Sequence, residues 1–321
     1  MKVFIDYSIR DCGKSKFLGR LVRELETRGV FYSSDPTRAD IALLISRPRG
    51  PLPPCPKVIR MDGIDLLDTP RNRHKVAHVV LPAMNECQGV IYQSKFCQVV
   101  LNAMIQHSIP EERQFVIYNA ADPREFDVEP VKSQYPWNVL LSAQWFKKQE
   151  RVYKRFGPLF EFINDYSLQC KDTMFWVAGA TNPAKKLPGN DRVRILGSLT
   201  NRQLLPVLRM ADVYLHMPEF SWCDNSLVEC VCAGCYPIGS NIGGNAEVIM
   251  AVGGYVVDGD QPRKPGWVRE YVPAPLNRRG LEKALTFART APPINCAAVH
   301  ISRAADHYSN VFHTILNGSG R

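Results

Sequence analysis

The chain has 321 residues, 45% of them hydrophobic and 22% charged, with a formal net charge of +9. That length suits two α/β domains better than one core, the composition excludes a disordered chain, and no apolar run is long enough to cross a bilayer. The charge excess is spread over both halves and calls for an anionic partner: a nucleotide diphosphate, a nucleic acid or an acidic membrane surface.

The N-terminal stretch MKVFIDYSIRDCG lacks the long apolar core of a signal peptide and reads as a first strand, Val3–Tyr7, so the expected location is the cytoplasm. A helix pattern over about Lys14–Arg28 follows, then apolar runs at Ile41–Ile45 and Lys57–Met61, a helix near Asn72–Glu86, a run at Val90–Gln93, another helix, and a run at Phe115–Tyr118. Strand and helix patterns in regular alternation predict a parallel sheet covered on both faces. The stretch RPRGPLPPCP (47–56) is a stiff proline-rich loop, and DVEPVKSQYPW (127–137) has no periodicity and reads as a linker.

The second half repeats the grammar: Asn138–Ser142, a helix over about Glu150–Tyr166, Met174–Ala178, Val193–Leu196, a helix over Arg202–Met210, and Val213–His216. In DNSLVECVCAGCYPIGSNIGGNAE (224–247), Leu227, Val228, Val231 and Cys232 fit one helical face and Gly234 stands where a helix needs a left-handed stop. Tyr236–Ile238 then reads as a buried strand, and Gly243 and Gly244 permit a sharp turn before Asn245 caps the next helix. Strand, glycine turn and helix N-terminus together make an anion site. A last helix pattern covers Ala297–Leu316, followed by a loose tail, NGSGR. The expected division is 1–132, 133–300, and a C-terminal helix within 301–321 crossing back to the first domain.

The ten cysteines are scattered through predicted strands and helices, as reduced core residues are. Cys223, Cys230, Cys232 and Cys235 lack a paired C-x2-C spacing, and core packing accounts for them better than zinc. Gly13, Lys14 and Ser15 do not make a P-loop, because the required first glycine would stand at Ser8. No D-x-D follows an apolar strand, so no metal is implied.

Four segments occur in an order that resembles the retaining glycosyltransferase family 4 of GT-B fold: LLSAQWFKK, FWVAGA, VRILGSLTNRQLLPVLRMADVYLHMPEF and DNSLVECVCAGCYPIGSNIGGNAEVI. The first half is similar more loosely, through VFIDYS, VIRMDGID, GVIYQSKF and FVIYNAADPREF. The resemblance covers Val3 to about Ile249. It implies two Rossmann-like doubly wound domains facing one cleft, with the acceptor bound by the first and the donor by the second. The co-substrate is then a nucleotide-diphosphate sugar of the UDP-glucose kind, with no other cofactor.

By the same resemblance Glu229 matches the second glutamate of the family's E-x7-E motif, which bonds the donor ribose. The first falls at Ser221, with Glu219 and Asp224 nearby, and the family's arginine at Ala143. Lys148, or Lys147 beside it, matches the cation that stabilises the departing diphosphate. Gly13 matches the loop brought up to the diphosphate, Gly197 and Ser198 the backbone that holds the base, and Asn225, Ser226, Gly243, Gly244 and Glu247 the donor loop. His216 ends a strand where it either touches sugar or phosphate or packs in the core. Arg60, Asp62, Gln93 and Ser94 lie at predicted strand ends and are candidates for the acceptor, Asp62 with a turn-forming role as the alternative.

The acceptor class stays open. Basic residues interleaved with aromatics at 145–155 and 263–271 suit a polyanion such as duplex DNA carrying a hydroxymethylated base, beside a saccharide or a lipid. A sugar-nucleotide epimerase and a catalytically silent nucleotide-sugar binding protein are the rival readings.

Overall fold

The computed structural model describes residues 1–7, 13–105, 109–143, 155–179, 190–218, 221–258, 266–270 and 275–318. They form two compact units, the first made of Met1–Ala121, Lys264–Glu270 and His300–Arg321, the second of Asp122–Arg263 and Tyr271–Val299. The division thus falls upstream of the 132/133 boundary drawn from the linker. The turn Pro123–Phe126 packs on a helix of the second unit, and Phe126 is buried.

The first unit runs β1 (Lys2–Ile5), α1 (Gly13–Glu26), β2 (Phe31–Ser33), β3 (Ile41–Ile45), β4 (Lys57–Met61), α2 (Pro70–Lys75), α3 (Leu81–Glu86), β5 (Gly89–Tyr92), α4 (Lys95–Ile105) and β6 (Gln114–Val116). All pairings are parallel in the order β2-β1-β3-β4-β5-β6. The predicted helix near Asn72–Glu86 is α2 and α3 joined by a π-helical turn, Val76–Val80. Strands such as IALLI and GVIY are buried along their whole length, as interior strands of a parallel sheet require.

The second unit runs β7 (Trp137–Ser142), α5 (Phe156–Gln169), β8 (Thr173–Ala178), β9 (Val193–Gly197), α6 (Asn201–Met210), β10 (Val213–His216), α7 (Asn225–Cys232), β11 (Tyr236–Ser240), α8 (Gly244–Ala251), β12 (Tyr255–Val257) and α9 (Arg278–Ala288). Its sheet is also parallel, ordered β12-β11-β10-β7-β8-β9. The predicted start of α5 at Glu150 is corrected: Arg155 has φ 54° and the helix begins at Phe156, while 150–154 lie outside the described residues. α6 opens with a capping box in which Thr200 Oγ1 accepts from the Gln203 amide at 3.3 Å and Gln203 Oε1 accepts from the Thr200 amide at 2.9 Å. Thr200→Ala should therefore lower stability by about 1 kcal/mol; an unchanged denaturant midpoint would refute the cap's contribution.

Helix α10 (Ile301–Gly318) belongs to the first unit. Its residues Ile301, Ala304, Ala305, Tyr308, Val311, Phe312 and Ile315 make one buried stripe at helical spacing against Phe17, Leu18, Leu21 and Leu25 of α1 and the strands behind it. Burying a side chain such as Phe312 or Ile315 contributes about 2 kcal/mol. Asn317 and Gly318 of the predicted tail are helical, and 319–321 lie outside the described residues. No helix among the described residues is long and apolar enough to cross a membrane.

Candidate functional site

In the second unit the chain passes from the edge strand β9 back to β10 beside β7, so the topological switch point lies between β7 and β10. Doubly wound sheets place ligands at that point, beyond the carboxyl ends of the strands. Three pieces meet there: the end of β10 and the N-termini of α7 and α8. Asp224 occupies the N-cap of α7 in extended geometry but makes no side-chain cap bond, and the N-cap of α8, Gly243, has no side chain to offer. Gly243 has φ 87° and ψ −179°, a combination open essentially to glycine alone. The α7 helix ends in a left-handed Gly234 (φ 97°), closed by the Cys235 amide on the Cys230 carbonyl at 3.0 Å and the Gly234 amide on the Val231 carbonyl at 3.0 Å.

Polar contacts tie the pieces together. The Gly244 amide donates to the Ser221 carbonyl at 2.7 Å, and the Asp224 amide donates to Asn245 Oδ1 at 2.8 Å. With its oxygen so engaged, Asn245 turns its Nδ2 toward His216 Nε2 at 2.5 Å and Asp224 Oδ2 at 3.4 Å. His216 Nε2 also lies 3.0 Å from Asp224 Oδ2, so the ring nitrogen stands between the Asn245 amide and the Asp224 carboxylate. His216 is buried and stacks on Tyr214 at 5.6 Å between centroids, and the Tyr214 hydroxyl donates to the Ser142 carbonyl at 2.8 Å. Burial, with the charges of Asp224 and Glu229 adding to it, pushes the Tyr214 phenol well above its ordinary range, so it remains a donor. Glu229 lies on α7 and is 6% exposed.

The four cysteines weighed for zinc are buried thiols outside any disulfide, and Cys230, Cys232 and Cys235 donate to the carbonyls of Leu227 (3.0 Å), Val299 (3.7 Å) and Leu208 (3.1 Å), a packing arrangement. Gly197 (φ 68°) ends β9 and accepts from the Gly179 amide at 2.6 Å, with Ser198 exposed beside it.

In the first unit the switch point lies between β1 and β3. Asp6 and Ser46 follow those strands; Asp6 Oδ1 accepts from the Ile45 amide at 2.8 Å, and the Ser46 amide donates to the Arg60 carbonyl at 2.8 Å. Arg60 is 1% exposed. Its Nε donates to Asp62 Oδ1 at 2.6 Å, its Nη1 to the Tyr308 hydroxyl at 3.1 Å and its Nη2 to Asn119 Oδ1 at 2.5 Å, and the guanidinium lies 4.2 Å from the centre of the Phe17 ring. Burial works against this charge, but Asp62 and Tyr308 outweigh it and the pKa is raised. Asn119 Nδ2 donates to Gln93 Oε1 at 3.2 Å, and Ser94 Oγ accepts from the Cys97 amide at 3.0 Å at the start of α4. Of the four acceptor candidates, Arg60, Gln93 and Ser94 thus face buried protein partners, whereas the Asp62 side chain keeps 10% exposure.

No family model matches the sequence, and no curated protein matches it. Solved structures do. AviGT4, a glycosyltransferase involved in avilamycin A biosynthesis, matches 99% of this chain over 98% of its own, with a TM-score of 0.64 and 14% identity. The chain has the GT-B fold. A glycosyltransferase from Rickettsia africae ESF-5 matches 99% of this chain and 96% of its own at TM-score 0.58 and 15% identity. The pneumococcal O-GlcNAc transferase GtfA, in complex with UDP and GlcNAc, matches 86% of this chain and 57% of its own at TM-score 0.56 and 12% identity.

Within this GT-B frame the predicted positions fall into separate groups. Asp224, Asn225, Ser226, Glu229, Gly243, Gly244 and His216 come together at the switch point of the second unit, and Gly197 and Ser198 stand at the end of its edge strand. Gly13 is the first residue of α1 and not a loop residue. Lys147, Lys148 and Glu219 lie outside the described residues, as do 145–154, 263–265 and 271 of the two basic–aromatic runs. Sequence reasoning missed Tyr214, Ser46, Asn119 and Tyr308. Tyr214 carried a signal, since it stands two residues before His216 on the same strand face. The other three are brought in by contacts distant in sequence.

Proposed function

We propose that this chain is a glycosyltransferase that moves a sugar from a nucleotide-diphosphate sugar to a hydroxyl acceptor, with the donor on the second unit and the acceptor on the first. The reading rests on the two N-termini of α7 and α8 that converge at the second switch point without side-chain caps. Each brings the positive end of a helix dipole to that point, which suits a diphosphate. The GT-B neighbours support it, among them a transferase holding UDP and GlcNAc.

In this reading Glu229 accepts from the ribose hydroxyls, Gly197 and Ser198 line the base, and Gly243 and Gly244 bring backbone to the diphosphate and sugar. His216, Asp224, Asn225 and Ser226 shape the donor loop. Lys148 and Lys147 supply counter-charge to the leaving group without a metal ion. The bond from the anomeric carbon to the diphosphate oxygen breaks, and its electron pair leaves on the nucleoside diphosphate. The acceptor oxygen bonds the same face of that carbon and passes its proton to the departing diphosphate. Retention of configuration is supported by the ordered segments similar to retaining family 4, and no protein nucleophile is needed.

The test is mass spectrometry of the chain with a panel of UDP-, GDP- and ADP-sugars, alone and with simple saccharides or hydroxymethylated duplex DNA. A hexose-sized mass gain on an acceptor is expected. A donor converted to its epimer without acceptor would identify an epimerase instead, and a panel left unchanged would overturn transfer.

A further inference from the structure

The first unit holds one carboxylate in a way that a turn residue does not need. Asp62 follows β4, and Arg60 Nε, itself buried, donates to its Oδ1 at 2.6 Å, while Ser46 Oγ lies 3.4 Å from Oδ2. Arg60 is gripped in turn from α10 by the Tyr308 hydroxyl at 3.1 Å. A carboxylate offers about four acceptor directions, and the Asp62 side chain keeps 10% exposure at the carboxyl edge of the sheet. It can therefore take a further donor from solvent, and an alcohol is such a donor.

Ser46 is the second observation. It has φ 62°, which non-glycine residues rarely adopt, in a tight turn closed by the Arg47 amide on the Ile45 carbonyl at 2.7 Å. Glycine would meet the backbone demand without strain. Strained residues persist where their side chains are needed and cluster at ligand sites, and this one stands at the switch point, with its hydroxyl beside Asp62.

We infer that Asp62 binds the acceptor by accepting from an O–H other than the one whose proton goes to the diphosphate, and that Ser46, Arg60 and Tyr308 are positioning residues that hold its carboxylate for that purpose. This rests on the glycosyltransferase reading, and the consequence is specific: loss of either supporting hydroxyl disturbs the acceptor and not the donor.

The test compares wild type with Asp62→Asn, Ser46→Gly, Ser46→Ala and Tyr308→Phe in three measurements: UDP affinity by calorimetry, the thermal midpoint, and acceptor kinetics. The acceptor is whichever panel member gains mass, or water, through hydrolysis of UDP-glucose, if none does. Asp62→Asn is expected to lower kcat/KM for the acceptor at least tenfold. Both Ser46 variants and Tyr308→Phe should lower it about three- to tenfold, the worth of one hydrogen bond, with UDP affinity unchanged. Ser46→Gly separates the alternatives: a residue that serves only the turn gives a glycine variant of higher midpoint and wild-type kinetics, whereas a positioning hydroxyl gives impaired kinetics despite the relieved backbone. Wild-type acceptor kinetics in Asp62→Asn or Ser46→Gly, with UDP still bound, would overturn the inference alone. Absence of UDP binding and of turnover in the wild type would overturn the underlying reading as well.

Discussion

Glu229→Gln is expected to weaken binding of the nucleoside diphosphate by about 10- to 100-fold while leaving the chain folded. Glu229 is 6% exposed on α7, five residues after the Asp224 N-cap. A hydrogen bond to a charged group is worth about 1.5–3 kcal/mol, and tenfold in affinity is about 1.4 kcal/mol, so loss of charge toward one ribose hydroxyl accounts for the lower figure and toward two for the upper. Gln has the same shape and buries no charge, so the thermal midpoint should stay near wild type. Isothermal calorimetry with UDP, GDP, ADP and CDP measures the first quantity and differential scanning fluorimetry the second. Unaltered affinity would show that Glu229 is only a buried helix carboxylate.

Gly243→Ala should cost about 1–3 kcal/mol, because its φ of 87° with ψ near 180° is closed to residues with a Cβ. It should also abolish most donor binding. The displaced N-terminus of α8 carries Gly244, whose amide holds the Ser221 carbonyl, and Asn245, which bridges His216 and Asp224. Gly253→Ala is the control: φ is 83°, a Cβ there meets nothing within 4 Å, and the residue follows the far end of α8. It should destabilise similarly and leave donor affinity intact. Chemical denaturation followed by calorimetry on both variants separates the two contributions, and equal loss of binding in both would refute a local role for Gly243.

The interior strands were legible because a parallel strand buried on both faces is an uninterrupted apolar run, as in IALLI and VYLH. Strands β2 and β12 were not, since both are three-residue edge strands and Phe31 and Tyr32 of β2 are exposed. Helix α9 was missed because two arginines and a glycine open it and its buried stripe holds only Leu281, Ala284, Leu285 and Ala288. The segment 224–247 could be read because a strand, a glycine turn and a helix start are local signals, although α8 is capped by Gly243 and Asn245, expected as the cap, lies inside the helix; the architecture implied by the family resemblance is the GT-B fold observed. The Arg60 cluster could not, since Arg60 and Tyr308 stand 248 residues apart and meet only when α10 docks in the first unit. The boundary between units was likewise set by packing: Pro123–Phe126 precedes the linker read at 127–137 and was assigned to the first half, but buried Phe126 binds it to the second unit.

The most direct measurement is calorimetric titration of nucleoside diphosphates into the wild type, Glu229→Gln and Asp62→Asn. The donor site assigned to the second unit predicts that one diphosphate binds the wild type with one-to-one stoichiometry, binds Asp62→Asn equally well, and binds Glu229→Gln at least tenfold more weakly. No binding by any of the four diphosphates, or equal binding by wild type and Glu229→Gln, would contradict it.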